Sequence, residues 1–434
     1  MSNLQALQDK IQYEKTFDCV QCGYCLPVCP TYETMERETH SPRGRINLVK
    51  MVAEEKASVE DLKTPIEKCL GCMACTTVCP TNVQYGAILE GAKEVIEDNE
   101  IKPKSQQEME DFIFNSFFPS SNWMNTLGNA SWLYQRSGLQ WMAQKTKVTG
   151  AAPLHLGQFE KVLPDLPNPM ERLTRKRHVL PDYKLTTKVA FFTGCVMDSM
   201  FFKTNERTVE LLRLSGAEVV LPKNQTCCGA LHAHSGKAEA AKDLAKRNIE
   251  AFEVEEADYI VNNAGGCGAK MVEYVHLFEP GTEWHERAEE FVSKVRDISE
   301  VLVELDGIEF TTSVNRKVTY QPSCHMSNVQ RVTESPRILL ESLPGLHMKE
   351  LSRPDFCCGS AGIYNILNYE DSMEILDVKM EDVKQTKPEA IVTTNPGCLL
   401  QMKMGIEREE LNESVEALHL VDLLMEGRPV SKRD

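Results

Sequence analysis

No run of residues in this chain approaches the roughly 20 consecutive apolar positions that a membrane-spanning helix needs, although 42% of its 434 residues are hydrophobic. Positive charge is scarce too. Lys and Arg number 48 against 64 Asp and Glu, a net charge of −16, and such a surface repels nucleic acid. The opening residues, MSNLQALQDKIQYEK, lack the apolar core of a secretory signal, so the expectation is a cytoplasmic protein with reduced cysteines. There is no Gly-rich dinucleotide fingerprint after a strand, no P-loop and no nucleophile elbow. Flavin or nicotinamide would therefore have to reside on another chain. What the sequence has in quantity is cysteine, 16 of them.

They fall into four groups of four. Cys19, Cys22, Cys25 and Cys29 form C-x2-C-x2-C-x3-C with Pro30 behind, and Cys69, Cys72, Cys75 and Cys79 repeat it 50 residues later with Pro80 behind. This is the bacterial ferredoxin run that binds [4Fe–4S] clusters through thiolates, the fourth cysteine of each run serving the other cluster. Cluster one is thus expected on Cys19, Cys22, Cys25 and Cys79, and cluster two on Cys69, Cys72, Cys75 and Cys29. Structural zinc prefers two separated C-x2-C pairs, a poorer match.

The other eight form a second, duplicated pattern: Cys195, Cys227, Cys228 and Cys267, then Cys324, Cys357, Cys358 and Cys398, offset by 129 to 131 residues. Each lies just past a β-rich run (KVAFFTG, EVVLP, YIVNN, KVTYQPS, LHMKEL, AIVTTN), and these runs alternate with helix-like segments, the signature of a largely parallel sheet. Ligands bind such sheets at the carboxyl edge of the strands, so four thiols per module should converge. A further iron–sulfur cluster, zinc and a redox-active dithiol all fit four such thiols. Among neighbouring residues, His232, His234 and His325 could tune a cluster or be ordinary core histidines, and Arg43 and Arg45 could serve a cluster or a solvated turn.

The fold class expected is α/β with an N-terminal, mostly helical ferredoxin-type domain and two duplicated parallel-sheet modules. Its parts are a ferredoxin-type domain at 1–100, an aromatic-rich helical connector and Pro-rich linker at 101–187, and modules at 188–312 and 313–434. Trp123, Trp132 and Trp141 sit in the connector, either as a docking surface or as packing between the two halves. Three helix signals are explicit: one helix from about Lys203 stopped by Gly216, one with Ser335 as N-cap before Pro336, and a capping box from Asp371 to Glu374.

Two ferredoxin runs followed by two Cys-Cys-Gly modules resemble the iron–sulfur subunit of bacterial glycolate oxidase. SPRGRINLVK, TGC at Cys195, CCGALHAH, GGCGAKMVEY, CCGSAGIYN and NPGC carry the likeness over nearly the whole chain. The resemblance implies an electron-transfer subunit of a flavin-dependent 2-hydroxy-acid dehydrogenase that converts glycolate to glyoxylate on FAD-binding partner subunits. Electrons then pass to a membrane or quinone-linked acceptor, with the chain at the inner face of the cell membrane. The subunits of anaerobic glycerol-3-phosphate dehydrogenase and heterodisulfide reductase are also similar, and would imply catalytic Cys-Cys-Gly modules. Here the sequence departs from heterodisulfide reductase. Gly268, Ala269 and Lys270 follow Cys267, and Leu399, Leu400 and Gln401 follow Cys398, so the CxxC that supplies a fifth ligand in that relative is missing.

Overall fold

Apolar residues at helical spacing fold the first hundred residues into four principal helices, Asn3–Lys10, Pro42–Ala53, Val59–Glu67 and Tyr85–Asn99. The computed structural model describes residues 3–100, 103–146, 155–182 and 187–432. Ile11, Val49, Leu62, Ile66, Ile88 and Ala92 close the core of this helical part. Ser41 caps the second helix by accepting from Gly44 N at 3.0 Å, with Pro42 at its first position, the pairing that starts helices well. Gly44 is required here: a Cβ would stand 1.9 Å from Glu38 O.

Two sheets form the remainder. The first contains β1 (His178–Val179), β2 (Lys188–Phe191), β3 (Glu218–Val220), β4 (Tyr259–Asn262) and β5 (Val295–Asp297), in the order β1-β3-β2-β4-β5. Strands β2 to β5 run parallel and β1 is antiparallel at the edge. After β6 (Ile308–Phe310) the second sheet follows, with β7 (Lys317–Tyr320), β8 (His347–Met348), β9 (Ala390–Thr393) and β10 (Glu416–His419). Its order is β10-β9-β7-β8, parallel throughout. Finally β11 (Pro429–Ser431) returns to pair antiparallel with β6.

All six β-rich runs contain strands, LHMKEL the shortest at two residues. The outer strands β5 and β10, VRD and EALH, were not expected. Both end in a buried residue that caps the next helix. Asp297 accepts from Ser299 N and His419 from Val421 N. The two sheets share one core: Val189, Phe191, Leu212 and Val261 pack in the same cluster as Val318, Leu340, Val392 and Leu424.

The helix Phe202–Leu214 stops before Gly216 at φ 92°, as the sequence indicated. The other two helix signals need correction. Ser335 is the first helical residue, with Glu334 before it as an N-cap whose side chain makes no capping bond. The first turn leaves its N–H groups without intrahelical partners, so Pro336, which lacks one, fits either of the first two positions. Helix Tyr369–Thr386 begins two residues before Asp371, whose carboxylate instead pairs with Lys68. In the connector, Trp123 and Trp141 are 48% and 63% exposed, so neither packs the halves together. Pro153 lies outside the described residues. Residues 155–182 are tied down rather than loose: Val162 and Leu166 are buried, and Arg175 pairs with Asp198 at 2.5 Å and Glu206 at 2.6 Å.

Candidate metal centres

The two ferredoxin runs fold as loops of matching form. Positive φ recurs two and four residues after the first cysteine of each, at Gln21 and Gly23 and at Gly71 and Met73. Such turns point successive backbone N–H groups inward, where they favour anions. Gly71 N lies 3.5 Å from Cys69 Sγ and Val83 N 3.5 Å from Cys79 Sγ. Gln21 Nε2 approaches Cys19 Sγ at 3.4 Å.

Two chambers result. Cys19, Cys22, Cys25 and Cys79 line one, together with Cys75 and Arg43. Cys29, Cys69, Cys72 and Cys75 line the other, with Arg45 and Tyr85. Each run thus contributes its fourth cysteine to the chamber of the other run. Among the described residues no three His, Cys, Asp or Glu side chains are set to hold a single metal ion. The chambers suit a group with several metal atoms better than a lone zinc.

The second chamber carries a buried cation. Arg45 is 1% exposed, donating from Nε to Pro65 O at 2.7 Å and from Nη2 to Thr31 Oγ1 at 3.0 Å. No carboxylate pairs with it among the described residues. Burial works against its charge, but Cys69, Tyr85 and Cys29 facing it raise its pKa above the ordinary value. Burial alone would raise the Cys69 thiol; the Arg45 guanidinium and the Tyr85 hydroxyl reverse that and lower it. Burial drives Cys72 and Cys75 well upward. An unpaired buried cation costs several kcal/mol, so this wall is built for an anionic occupant, and a cluster held by four thiolates is one. Arg43, by contrast, is paired with Glu38 and reaches Gln21 O at 3.2 Å.

In each sheet module the four cysteines converge at the carboxyl edge. In the first, Cys195 Sγ is 3.7 Å from Cys227 Sγ, Cys227 adjoins Cys228, and Cys228 adjoins Cys267. Hydrogen bonds from Cys227 and Cys267 hold Cys228 well below the usual thiol range, and its own neighbours are raised. In the second, Cys324, Cys357, Cys358 and Cys398 follow one another in the same way. Contacts with Cys357 and burial push Cys324 up.

The ferredoxin part meets these two centres unequally. Leu70 and Cys72 pack with Cys324, Cys357, Phe356 and Tyr364, and Asn328 Nδ2 donates to Cys72 O at 2.8 Å. The first module touches the same part through Lys93, which donates to His234 O at 2.8 Å, and through the pair Lys237 with Glu97. The connector is tied to the carboxyl edge of this module beside the thiols. His232 Nε2 donates to Phe114 O at 2.7 Å, and Thr226 Oγ1 to Pro119 O at 2.7 Å. The His232 ring thus ties the connector down through Nε2, while its buried Nδ1 has no hydrogen-bond partner among the described residues. His325 lies with Nδ1 3.5 Å from Cys324 Sγ and its ring 5.3 Å from that of His234. Sequence reasoning missed Asn328, Tyr85 and Thr31, which become visible as site residues only when distant segments meet.

Comparison with known proteins fits this geometry. The 4Fe-4S dicluster domain matches residues 15–83, and the cysteine-rich domain matches twice, at 189–272 and 318–403. The linker region of the glycolate oxidase iron-sulfur subunit matches residues 105–163. A probable glycolate oxidase iron-sulfur subunit of Bacillus subtilis (strain 168) is 47% identical over 424 residues, 97% of this chain and 96% of that protein. This chain belongs to the glycolate oxidase iron–sulfur subunit family. Other similar proteins differ in extent. Lactate utilization protein A of Oceanobacillus iheyensis is 35% identical over 238 residues, 55% of this chain but 96% of that protein. The same protein of Shouchella clausii is 35% identical over 237 residues, 54% of this chain and 98% of its own. Among the described residues no helix is long and apolar enough to cross a membrane.

Proposed function

We propose that this family member relays electrons in a flavin-dependent 2-hydroxy-acid dehydrogenase whose reaction is glycolate to glyoxylate. Substrate oxidation takes place on separate FAD-binding subunits, and the electrons leave towards a membrane or quinone-linked acceptor. The chain is cytoplasmic and sits at the inner face of the membrane. Cys19, Cys22, Cys25 and Cys79 hold one [4Fe–4S] cluster, and Cys29, Cys69, Cys72 and Cys75 the other. When bound, each cluster takes up and gives back one electron. A reduced flavin releases two, so a chain of one-electron stations suits it.

The observation that carries this reading is Arg45, a buried guanidinium without a carboxylate partner on the wall of a four-cysteine chamber. The chain's own residues exclude water from that chamber through Leu70 and Tyr85, 6% and 4% exposed, and donate hydrogen bonds to its sulfurs from Gly71 N and Tyr85. Iron, sulfide and zinc per chain on anaerobically purified protein, with low-temperature EPR after reduction, test the reading. About eight irons or more, with two interacting [4Fe–4S] signals, is the expected result. Zinc in place of iron at the ferredoxin cysteines would sink it.

A further inference from the structure

The two modules share a thiol arrangement but not what lies against it. In the second module Cys324 and Cys357 face Leu70 and Cys72 of the ferredoxin part. The matching pair in the first module, Cys195 and Cys227, lines a cavity of about 180 Å³ between that module and the connector helix Ser121–Arg136. The volume is several times the ~30 Å³ share of one water. It is well below the ~300 Å³ at which pockets for drug-sized ligands begin. A ligand of a handful of heavy atoms fits, and a ring bearing a long tail does not.

The lining chemistry is one-sided. Arg175, Arg177 and Lys223 bring three cations, and Asn122, Asn125 and Gln225 bring amides. The single acid, Asp198, is engaged by Arg175 at 2.5 Å and by Asn205 Nδ2 at 3.2 Å. Arg177 and Lys223 have no carboxylate partner among the described residues. In a chain of net charge −16, two unpaired cations at one cavity mark a site for negative charge, which such a cleft also concentrates from solution. Arginine and asparagine donors are suited to carboxylate oxygens. The cavity opens on a wider groove that shares Pro119, Arg177, Leu221 and Lys223 with it, so a small solute has a route in.

We propose that this cavity binds a small carboxylate, held by Arg177 and Lys223 beside Cys195 and Cys227 of the first module. The assignment does not depend on what the thiols hold, and so stands or falls apart from the relay reading. Isothermal titration of the anaerobically purified full chain with glycolate tests it, with inorganic phosphate and the neutral quinone menadione as parallel arms. Saturable glycolate binding is expected, weakened about tenfold or more in the Arg177→Gln/Lys223→Gln double variant as two charge-assisted contacts are lost. Both side chains are exposed and have no carboxylate partner among the described residues, so the variant keeps its fold, checked by unchanged iron content. Asn125→Phe, which fills the cavity, should abolish binding. The proposal is overturned by absent glycolate binding, by binding of phosphate or menadione in its place, or by equal affinity in the double variant.

Discussion

In the first sheet module, Cys195 and Cys227 look out on a polar cavity walled by the connector; in the second, Cys324 and Cys357 look onto Leu70 and the second ferredoxin loop at Cys72. The four-thiol arrangement is the same, because each cysteine follows a strand of a duplicated sheet. The neighbours differ, since they come from segments that were not duplicated. Duplication thus supplies two equal centres, and the flanking parts pack one of them against the ferredoxin part and set the other beside a cavity.

The sharpest way to break this comparison is to remove one cysteine from each side. Cys72→Ser should cost the second chamber its cluster, about four of eight irons, and lower the melting temperature through the second module packed on it. Cys195→Ser should leave the ferredoxin iron unchanged. Iron per chain and thermal unfolding read both, and equal iron loss in the two variants would show that the asymmetry is false.

Packing gives the next largest difference. Phe356, 4% exposed behind Cys357, should cost about 3–5 kcal/mol as Phe356→Ala. Phe114, 8% exposed in the connector over His232, should cost roughly half of that, since its aromatic neighbour Phe118 is only partly buried and the site can collapse. Denaturant unfolding measures both.

Arg45→Met should lower the potential of the second cluster by roughly 100 mV, the order expected when a unit charge within about 5–10 Å is removed at an effective dielectric near 20. The first cluster, beside the paired Arg43, should hold its value. A redox titration followed by EPR separates the two signals, and a shift shared equally by both would assign Arg45 a purely structural role.

The smallest effect is in the caps of the two outer strands. Burial pushes Asp297 up to about 7 from an ordinary 3.8. The folded state therefore holds its proton more tightly than the unfolded chain. Its stabilisation is full below pH 3.8 and is lost as pH rises through about 7. Burial lowers His419 below 6.5, so its stabilisation is present above pH 6.5 and lost as pH falls below it. Asp297→Asn should flatten the stability curve between about pH 4 and 7, by of order 1–3 kcal/mol. His419→Gln should flatten it only on the acid side. Melting temperature against pH in the two variants checks the signs.

The cysteine groups were legible because ligand spacing is local and because the second pattern is written twice. Strand ends were legible too, since KVAFFTG is an apolar run stopped by glycine and AIVTTN one stopped by Pro396 and Gly397. The centre's surroundings were not. Asn328 reaches Cys72 across 256 residues, and nothing in either segment records the other. Arg45 stood out as a candidate, but its burial is decided by Pro65 and Thr31 closing over it. Strands β5 and β10 escaped notice because three or four residues ending in Asp or His offer too short a run to show a period.

The pairing of β11 with β6 sets a constraint on how the chain is made. Ile308–Phe310 has as its sheet partner Pro429–Ser431, and at about 5–20 residues per second that partner emerges roughly ten seconds later. Through that interval the first module leaves the ribosome with an open apolar seam, since its half of the shared core has nothing from the second sheet to cover it. A nascent chain stalled short of residue 429 would be a better chaperone client than either a shorter or a finished one.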